Sequence, residues 1–482
     1  MKRIIISLVL ALVIILSPFL FVFSFAVLSP AQFDNSFVGV LDEKVERLDS
    51  IREDKIVVVG GSSVAFGLDS ALLEEYTGMP TVNFGLYAAL GTKLMLDLSL
   101  DGISEGDIVV LAPELDVETL SLFFSSENTL RAIDGSFSLL SRLRGENIFG
   151  VLSGMWDFSA EKLGYMKNPE KKPNPDGVYN AKSFNSYLDI SYPREENIMY
   201  LYADRVNTVK LKTEYYGEAF LEFCDYLNEY IESAENKGAR VYFSFCPVNE
   251  MGIEEGTTEE HKAAFVKMLK DNIDCEFISE INNYILDAGY FYDTNFHLND
   301  TGVKVRTMRL ARDIKFAADI TEGVVPKEEP KAPALPNIDI TFLGEDENAK
   351  YFTYAPDAFD AYTVTGLTEE GKKQTVLTLP LGADGIKVKS ISEGAFSGAL
   401  ATTVIIPENS NIEMLHNRLL SGAENLTRLE IYIRDCEAII PPDKNSFGNE
   451  RTEFRIYTPE GSYYSVGYEW GKHSPLIVES LK

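Results

Sequence analysis

The chain has 482 residues, too many for one ordinary domain, and is 45% hydrophobic and 24% charged, so it can bury at least one large core. Its 74 acidic and 44 basic residues leave a formal net charge of −30. A surface that negative repels phosphate backbones, which sets nucleic acid aside as a partner and otherwise serves solubility.

Lys2 and Arg3 precede an apolar run from Ile4 to about Leu28, broken only by Ser7, Ser17, Pro18 and Ser24. A run of this length suits a bilayer-spanning helix; it exceeds the apolar core of a cleaved signal peptide, and no A-x-A site follows. The expectation is an uncleaved anchor over residues 1–30, with Lys2 and Arg3 cytoplasmic and everything later outside the cell membrane. Residues 31–54 read as a stalk.

Strands are predicted at Lys55–Val59, Asp107–Ala112 and Arg240–Phe245, each an apolar run of the kind covered on both faces. Helices are predicted over Glu218–Glu235, Thr257–Asn272 and Thr301–Ala318, the last capped by Asn299 or Asp300. Strands alternating with helices indicate an α/β domain with a parallel sheet over residues 55–320. The pattern loosens at 117–216, which reads as an insertion or lid over the sheet edge. Residues 321–337 are Pro-rich and read as a linker.

Residues 338–482 form a second domain with an imperfect repeat: Ser390–Gly398 matches Met414–Gly422 at an offset of 24 residues, and apolar alternations follow at Val404 and Ile406, then at Leu429, Ile431 and Ile433. Four cysteines (Cys224, Cys246, Cys275, Cys436) make no C-x-x-C pair and no zinc-ligand spacing, so free buried thiols are expected and no metal or cofactor.

The first strand runs into Gly60-Gly-Ser-Ser-Val-Ala-Phe-Gly67. A serine at the carboxyl edge of a parallel sheet stands where α/β proteins place their sites. Of the four histidines, His261 falls within a predicted helix and His416 and His473 fall in the repeat domain, which leaves His297. It lies in Phe291-Tyr-Asp-Thr-Asn-Phe-His-Leu-Asn-Asp300 with Asp293 beside it. A nucleophile, a base and an orienting carboxylate are the parts of a hydrolytic triad.

These residues resemble the SGNH (GDSL-like) serine esterase and acyltransferase superfamily, over roughly residues 50–320. Gly61-Ser-Ser-Val64 with Gly67 fits its G-D-S-L block, Asn83-Phe-Gly85 its N-x-G block, and Asp293-Thr-Asn-Phe-His297 its D-x-x-H block with one residue added. The resemblance implies an SGNH-like three-layer sandwich, with Ser63 as nucleophile, His297 as base, Asp293 as its partner, and an oxyanion hole from Ser63 and Gly85. Ser62 stands where the family has Asp. The third block, G-x-N-D, is replaced by Ala112-Pro-Glu-Leu-Asp116, so Glu114 stands where an Asn donor is expected. Ser62, Asn83, Glu114 and Asn249 complete the candidates. The repeat segment resembles bacterial surface leucine-rich repeats through Ile391, Ala395, Phe396, Gly398, Val404, Ile406 and Pro407.

The resulting expectation is an extracytoplasmic serine esterase or O-acyltransferase working on cell-surface glycan or an acylated wall polymer, anchored to the membrane and served by a membrane-bound acyl donor partner. The alternatives are a non-catalytic adhesion protein with a degenerate SGNH domain and a lipase-like enzyme on membrane lipids. The tyrosines at 187, 192, 200 and 202, and those at 457, 463, 464 and 468, are read as packing residues.

Overall fold

The computed structural model describes residues 17–482 apart from 176, 196, 198–208, 336–339, 358–359, 413, 416–417, 433–452, 459–475 and 481–482. His416, His473, Cys436, Ile433, Tyr200, Tyr202, Tyr463, Tyr464 and Tyr468 lie outside the described residues. The chain divides into two compact units, the first holding the residues up to Asn197 with Asn207–Leu335 and the second taking in Pro336–Lys482.

In chain order the first unit contains α1 (Leu41–Ser50), β1 (Ile56–Gly60), α2 (Ser62–Ala65), α3 (Ser70–Thr77), β2 (Thr81–Gly85), α4 (Thr92–Leu100), β3 (Ile108–Leu111), α5 (Ser126–Ala132), α6 (Gly145–Leu152), α7 (Met155–Lys167), α8 (Glu218–Asn236), β4 (Arg240–Phe243), α9 (Glu259–Asn272), β5 (Glu276–Phe277) and α10 (Asp300–Ala317). The strands form one parallel sheet in the order β2-β1-β3-β4-β5. Alternation sorts their side chains. Val57, Val59, Val109, Leu111, Val241 and Phe243 join the larger core with α1, α4 and α8. Ile56, Val58, Ile108, Val110 and Tyr242 join the smaller core with α3 and α10. Apolar residues at both parities make a sheet covered on both faces, and the unit is an α/β three-layer sandwich. Where β1 and β3 begin, Lys55 Nζ donates to Asp107 Oδ2 at 2.7 Å with both side chains buried.

Several sequence expectations change. The expected stalk contains α1, whose Leu41, Val45 and Leu48 are buried at helical spacing in the core. His261 lies in the predicted helix as its third residue, in α9, and forms a capping box with Thr258. Cys224, Cys246 and Cys275 are free, but only the first two are buried. Asn299 is the cap of α10, accepting from the N–H groups of Thr301 and Gly302.

Of the N-terminal apolar run, residues 17–28 are described and helical. Val22 and Phe23 pack on the core, and Lys162 Nζ donates to the Ala26 carbonyl at 2.8 Å. Among the described residues no helix is long and apolar enough to cross a membrane. The segment read as a linker is held to the first unit over its first half: Glu329 pairs with Arg309 (2.7 Å) and Arg312 (2.5 Å), and the Tyr290 hydroxyl donates to Pro330 O. Arg309, Arg312 and Glu329 line a polar cleft of about 470 Å³ with Asn282, Asn283 and Asp313.

The second unit carries a parallel sheet of successive strands, β6 (Val376–Thr378), β7 (Thr403–Ile406), β8 (Arg428–Tyr432), β9 (Glu453–Thr458) and β10 (Leu476–Ser480). The two matching sequence segments stack. Gly394 N–H donates to Arg418 O, Gly398 N–H to Gly422 O at 3.0 Å, and Asn425 Nδ2 to Ala399 O at 2.9 Å. Ala395 and Phe396 in one turn, and Leu419 and Leu420 in the next, are buried in one core.

Candidate functional site

β1 is the second strand of the sheet, and its carboxyl end meets β2 and β3 at close range. A Cβ on Gly60 would lie 2.5 Å from Ala112 O, and one on Gly85 would lie 2.5 Å from Val64 Cβ and 2.7 Å from Ala65 N. Only glycine lets the two strand ends and the α2 turn converge there. Ser62 opens α2 and Ser63 follows it.

Glu114, just after β3, faces both serines. Its Oε1 accepts from Ser62 Oγ at 2.8 Å and from Ser63 N–H at 2.7 Å. Ser63 is fully buried, and its Oγ has no hydrogen-bond partner among the described residues. The expected bond from Ser63 to His297 is therefore not formed. Gly85 N–H, expected to stand open as an oxyanion donor, donates to Asn83 Oδ1 at 3.1 Å. Asn83 Nδ2 in turn donates to Val64 O and to Asp189 Oδ1. Asn249 lies in a turn: its Oδ1 accepts from Met251 N–H and its own N–H donates to Asn295 O.

The histidine block comes together as expected in part. His297 Nδ1 lies 2.8 Å from Asp293 Oδ1. The added residue between them belongs to a turn around Thr294, whose Oγ1 accepts from Phe296 N–H and His297 N–H. Tyr292 N–H donates to His297 O, closing the loop ahead of α10. The imidazole stacks on Phe66, with centroids 3.8 Å apart and planes 5° apart. Phe66 ends the turn that begins with Ser62. The sheet edge thus brings Ser62, Ser63, Glu114, His297 and Asp293 into one neighbourhood.

Three residues of the 117–216 segment brace this neighbourhood. The Tyr179 hydroxyl donates to Asp293 Oδ2. Asp189 accepts from Ser70 N–H, Ser70 Oγ and Asn83 Nδ2. Arg194 Nη1 donates to Phe66 O, and its guanidinium lies 5.3 Å from the Phe66 ring centroid. Beneath Asn83, Lys44 Nζ donates to Asn83 O (3.0 Å) and Leu188 O (2.9 Å). Burial lowers the Lys44 amine to about 7 and raises the Asp189 carboxyl.

On the other side of the α2 turn, Arg306 is wholly buried and its three guanidinium nitrogens have no hydrogen-bond partner among the described residues. Its Cδ lies 3.1 Å from where a Cβ of Gly67 would stand. Burial lowers its affinity for the proton, opposed by Tyr284, Cys246 and Asp313. Burial, with Glu114 nearby, pushes the Cys246 thiol up. Burial raises Asp313 to about 6, although it accepts from the Tyr284 hydroxyl.

Among the described residues no group of three or more His, Cys, Asp or Glu side chains is arranged to hold a metal ion. Tyr179, Asp189 and Arg194 escaped the sequence reading; the available signal was a lone carboxylate, Asp189, in the otherwise uncharged stretch Tyr187–Tyr192. No family model matches the chain, and no curated protein matches it either.

Proposed function

We propose that the protein is a serine ester hydrolase or O-acyltransferase of the SGNH type, working through an acyl-serine on cell-surface glycan or wall polymer. The observation that carries this reading is the Asp293–His297 pair at 2.8 Å, its ring laid on Phe66 at the end of the turn that starts with Ser62 and Ser63. A carboxylate on Nδ1 holds the reactive tautomer and stabilises the imidazolium, leaving Nε2 for proton transfer. Whether the acyl group goes to water or to a sugar hydroxyl depends on the acceptor, since both routes share the intermediate. The apolar N-terminal run supports a single-pass anchor with the folded units outside, and the resemblance to surface acyltransferases implies a membrane-bound acyl donor as partner. The stacked 24-residue turns of the second unit support a leucine-rich-repeat-like module.

The test is reaction of the purified chain with a fluorophosphonate probe, with His297→Ala as the control. Covalent labelling of the wild-type chain is expected, together with turnover of p-nitrophenyl acetate that His297→Ala lowers at least about a hundredfold. A wild-type chain that takes no label sinks the reading. A second reading, a non-catalytic surface protein, is favoured by one observation, the burial of Ser63 Oγ without any bond to His297. Binding of wall polymer by an unlabelled chain would select it. Protease added to intact cells should shave the ectodomain; full protection would overturn the localisation.

A further inference from the structure

We propose that Ser62, rather than Ser63, is the hydroxyl that takes the acyl group, and that Glu114 is the base that takes its proton. The inference rests on the acyl-serine reading above and specifies its chemistry.

The two serines differ in what their hydroxyls meet. Ser63 Oγ is sealed and bonded to nothing described. Ser62 Oγ points at a carboxylate oxygen 2.8 Å away. That separation lies inside the range of about 2.6–3.2 Å within which a general base can remove a proton. An ionised carboxylate has no proton to give, so the Ser62 hydroxyl must be the donor. The same Oε1 also receives Ser63 N–H, which fixes the carboxylate against Ser62. Ser62 lies four residues before Phe66, the ring on which His297 stacks, in the same short helical turn. Gly61 leaves the path between Glu114 and the turn clear, since a Cβ there would stand 3.1 Å from Oε1.

In the first half-reaction a bond forms between Ser62 Oγ and the acyl carbon, and the hydroxyl proton passes to Glu114 Oε1. The bond from the acyl carbon to the alcohol oxygen then breaks, and the proton leaves Glu114 for that oxygen. The products are acyl-Ser62, a neutral alcohol and an ionised Glu114. In the second half-reaction a water or an acceptor hydroxyl attacks the acyl carbon, the bond to Ser62 Oγ breaks, and the proton released ends on Ser62 Oγ, with His297 as the acceptor that carries it. A fixed carboxylate beside a developing oxyanion would be repulsive. Here Glu114 is neutralised by the proton transfer that creates the oxyanion, so the conflict is removed within the same step.

The experiment treats the full chain with a fluorophosphonate and locates the adduct in the peptide carrying both serines by tandem mass spectrometry. The phosphonyl group is expected on Ser62, and Ser62→Ala should take no label. Glu114→Gln keeps the size of the side chain and should lower the maximal labelling rate at least about a hundredfold, with the half-saturating probe concentration changed by less than about threefold. A purely structural role for Glu114 would not separate those two constants. An adduct on Ser63, or labelling of a folded Glu114→Gln chain at the wild-type rate, overturns the inference while leaving the acyl-serine reading intact. If Glu114→Gln does not fold, the position of the wild-type adduct still decides. A wild-type chain that takes no label removes both.

Discussion

The His297 ring lies flat on Phe66, 3.8 Å between centroids and 5° from parallel, while Tyr179 holds the far oxygen of the Asp293 carboxylate that orients it. The imidazole is thus fixed in tilt by one aromatic and in rotation by a carboxylate that is itself fixed. Tyr179→Phe removes a hydrogen bond to a charged group, worth about 1.5–3 kcal/mol. If part of that orients the ring, kcat on p-nitrophenyl acetate should fall about tenfold with KM nearly unchanged. Phe66→Leu should lower kcat at least as much. An unaltered kcat in both variants would show that neither residue positions His297.

Lys44 gives the protein a pH-dependent stability. Burial lowers its amine from 10.5 to about 7 in the folded state. Between about 7 and 10.5 the unfolded chain therefore binds more protons at this residue than the folded chain does. Stability from this group rises with pH across that window, by up to about 1.4 kcal/mol per pH unit, and is flat below it. Lys44→Met should lose this rise. Urea midpoints of both proteins between pH 6.5 and 9.5 measure it, and parallel curves would contradict the assignment.

Arg306 should be a net burden on the fold. A guanidinium taken wholly out of water without a hydrogen-bond partner among the described residues forfeits its hydration and recovers little. Arg306→Met keeps the packed stem, removes the charge, and should raise stability by about 1–4 kcal/mol in urea unfolding at pH 7. A loss of stability would mean that the charge is compensated in solution, with Tyr284, Cys246 and Asp313 as its electrostatic neighbours.

In the second unit Gly422 has φ +75°, and a Cβ there would stand 2.4 Å from Ser397 Oγ in the turn before it. Gly422→Ala combines left-handed backbone strain of about 1–2 kcal/mol with a steric conflict between stacked turns. It should lower the unfolding midpoint of the second unit alone. Differential scanning calorimetry should show one transition shifted and the first unit's transition unmoved.

The sheet was legible because strands covered on both faces must be apolar at every position, as Ile56–Val59 and Ile108–Leu111 are. The Asp293–His297 pair and the Asn299 cap were legible because they act within a few residues of each other. The reading of Ser63 as nucleophile rests on the fit of Gly61–Val64 and Gly67 to a family block, whereas what each of the two hydroxyls meets depends on the packing of side chains around α2. The bracing residues left little trace: Asp189 meets Ser70 across 119 residues and Asn83 across 106, and such contacts have no period in the sequence. The stalk reading failed for a related reason, because a single ten-residue helix was masked by its charged face.

Lys44 donates to Leu188 O, and Asp189, the next residue, grips Ser70 and Asn83. This stretch of the segment that interrupts the α/β pattern is riveted to the floor of the site rather than hinged above it. Lifting it would strand a buried amine and a buried carboxylate together, so its opening belongs to unfolding and not to a turnover cycle.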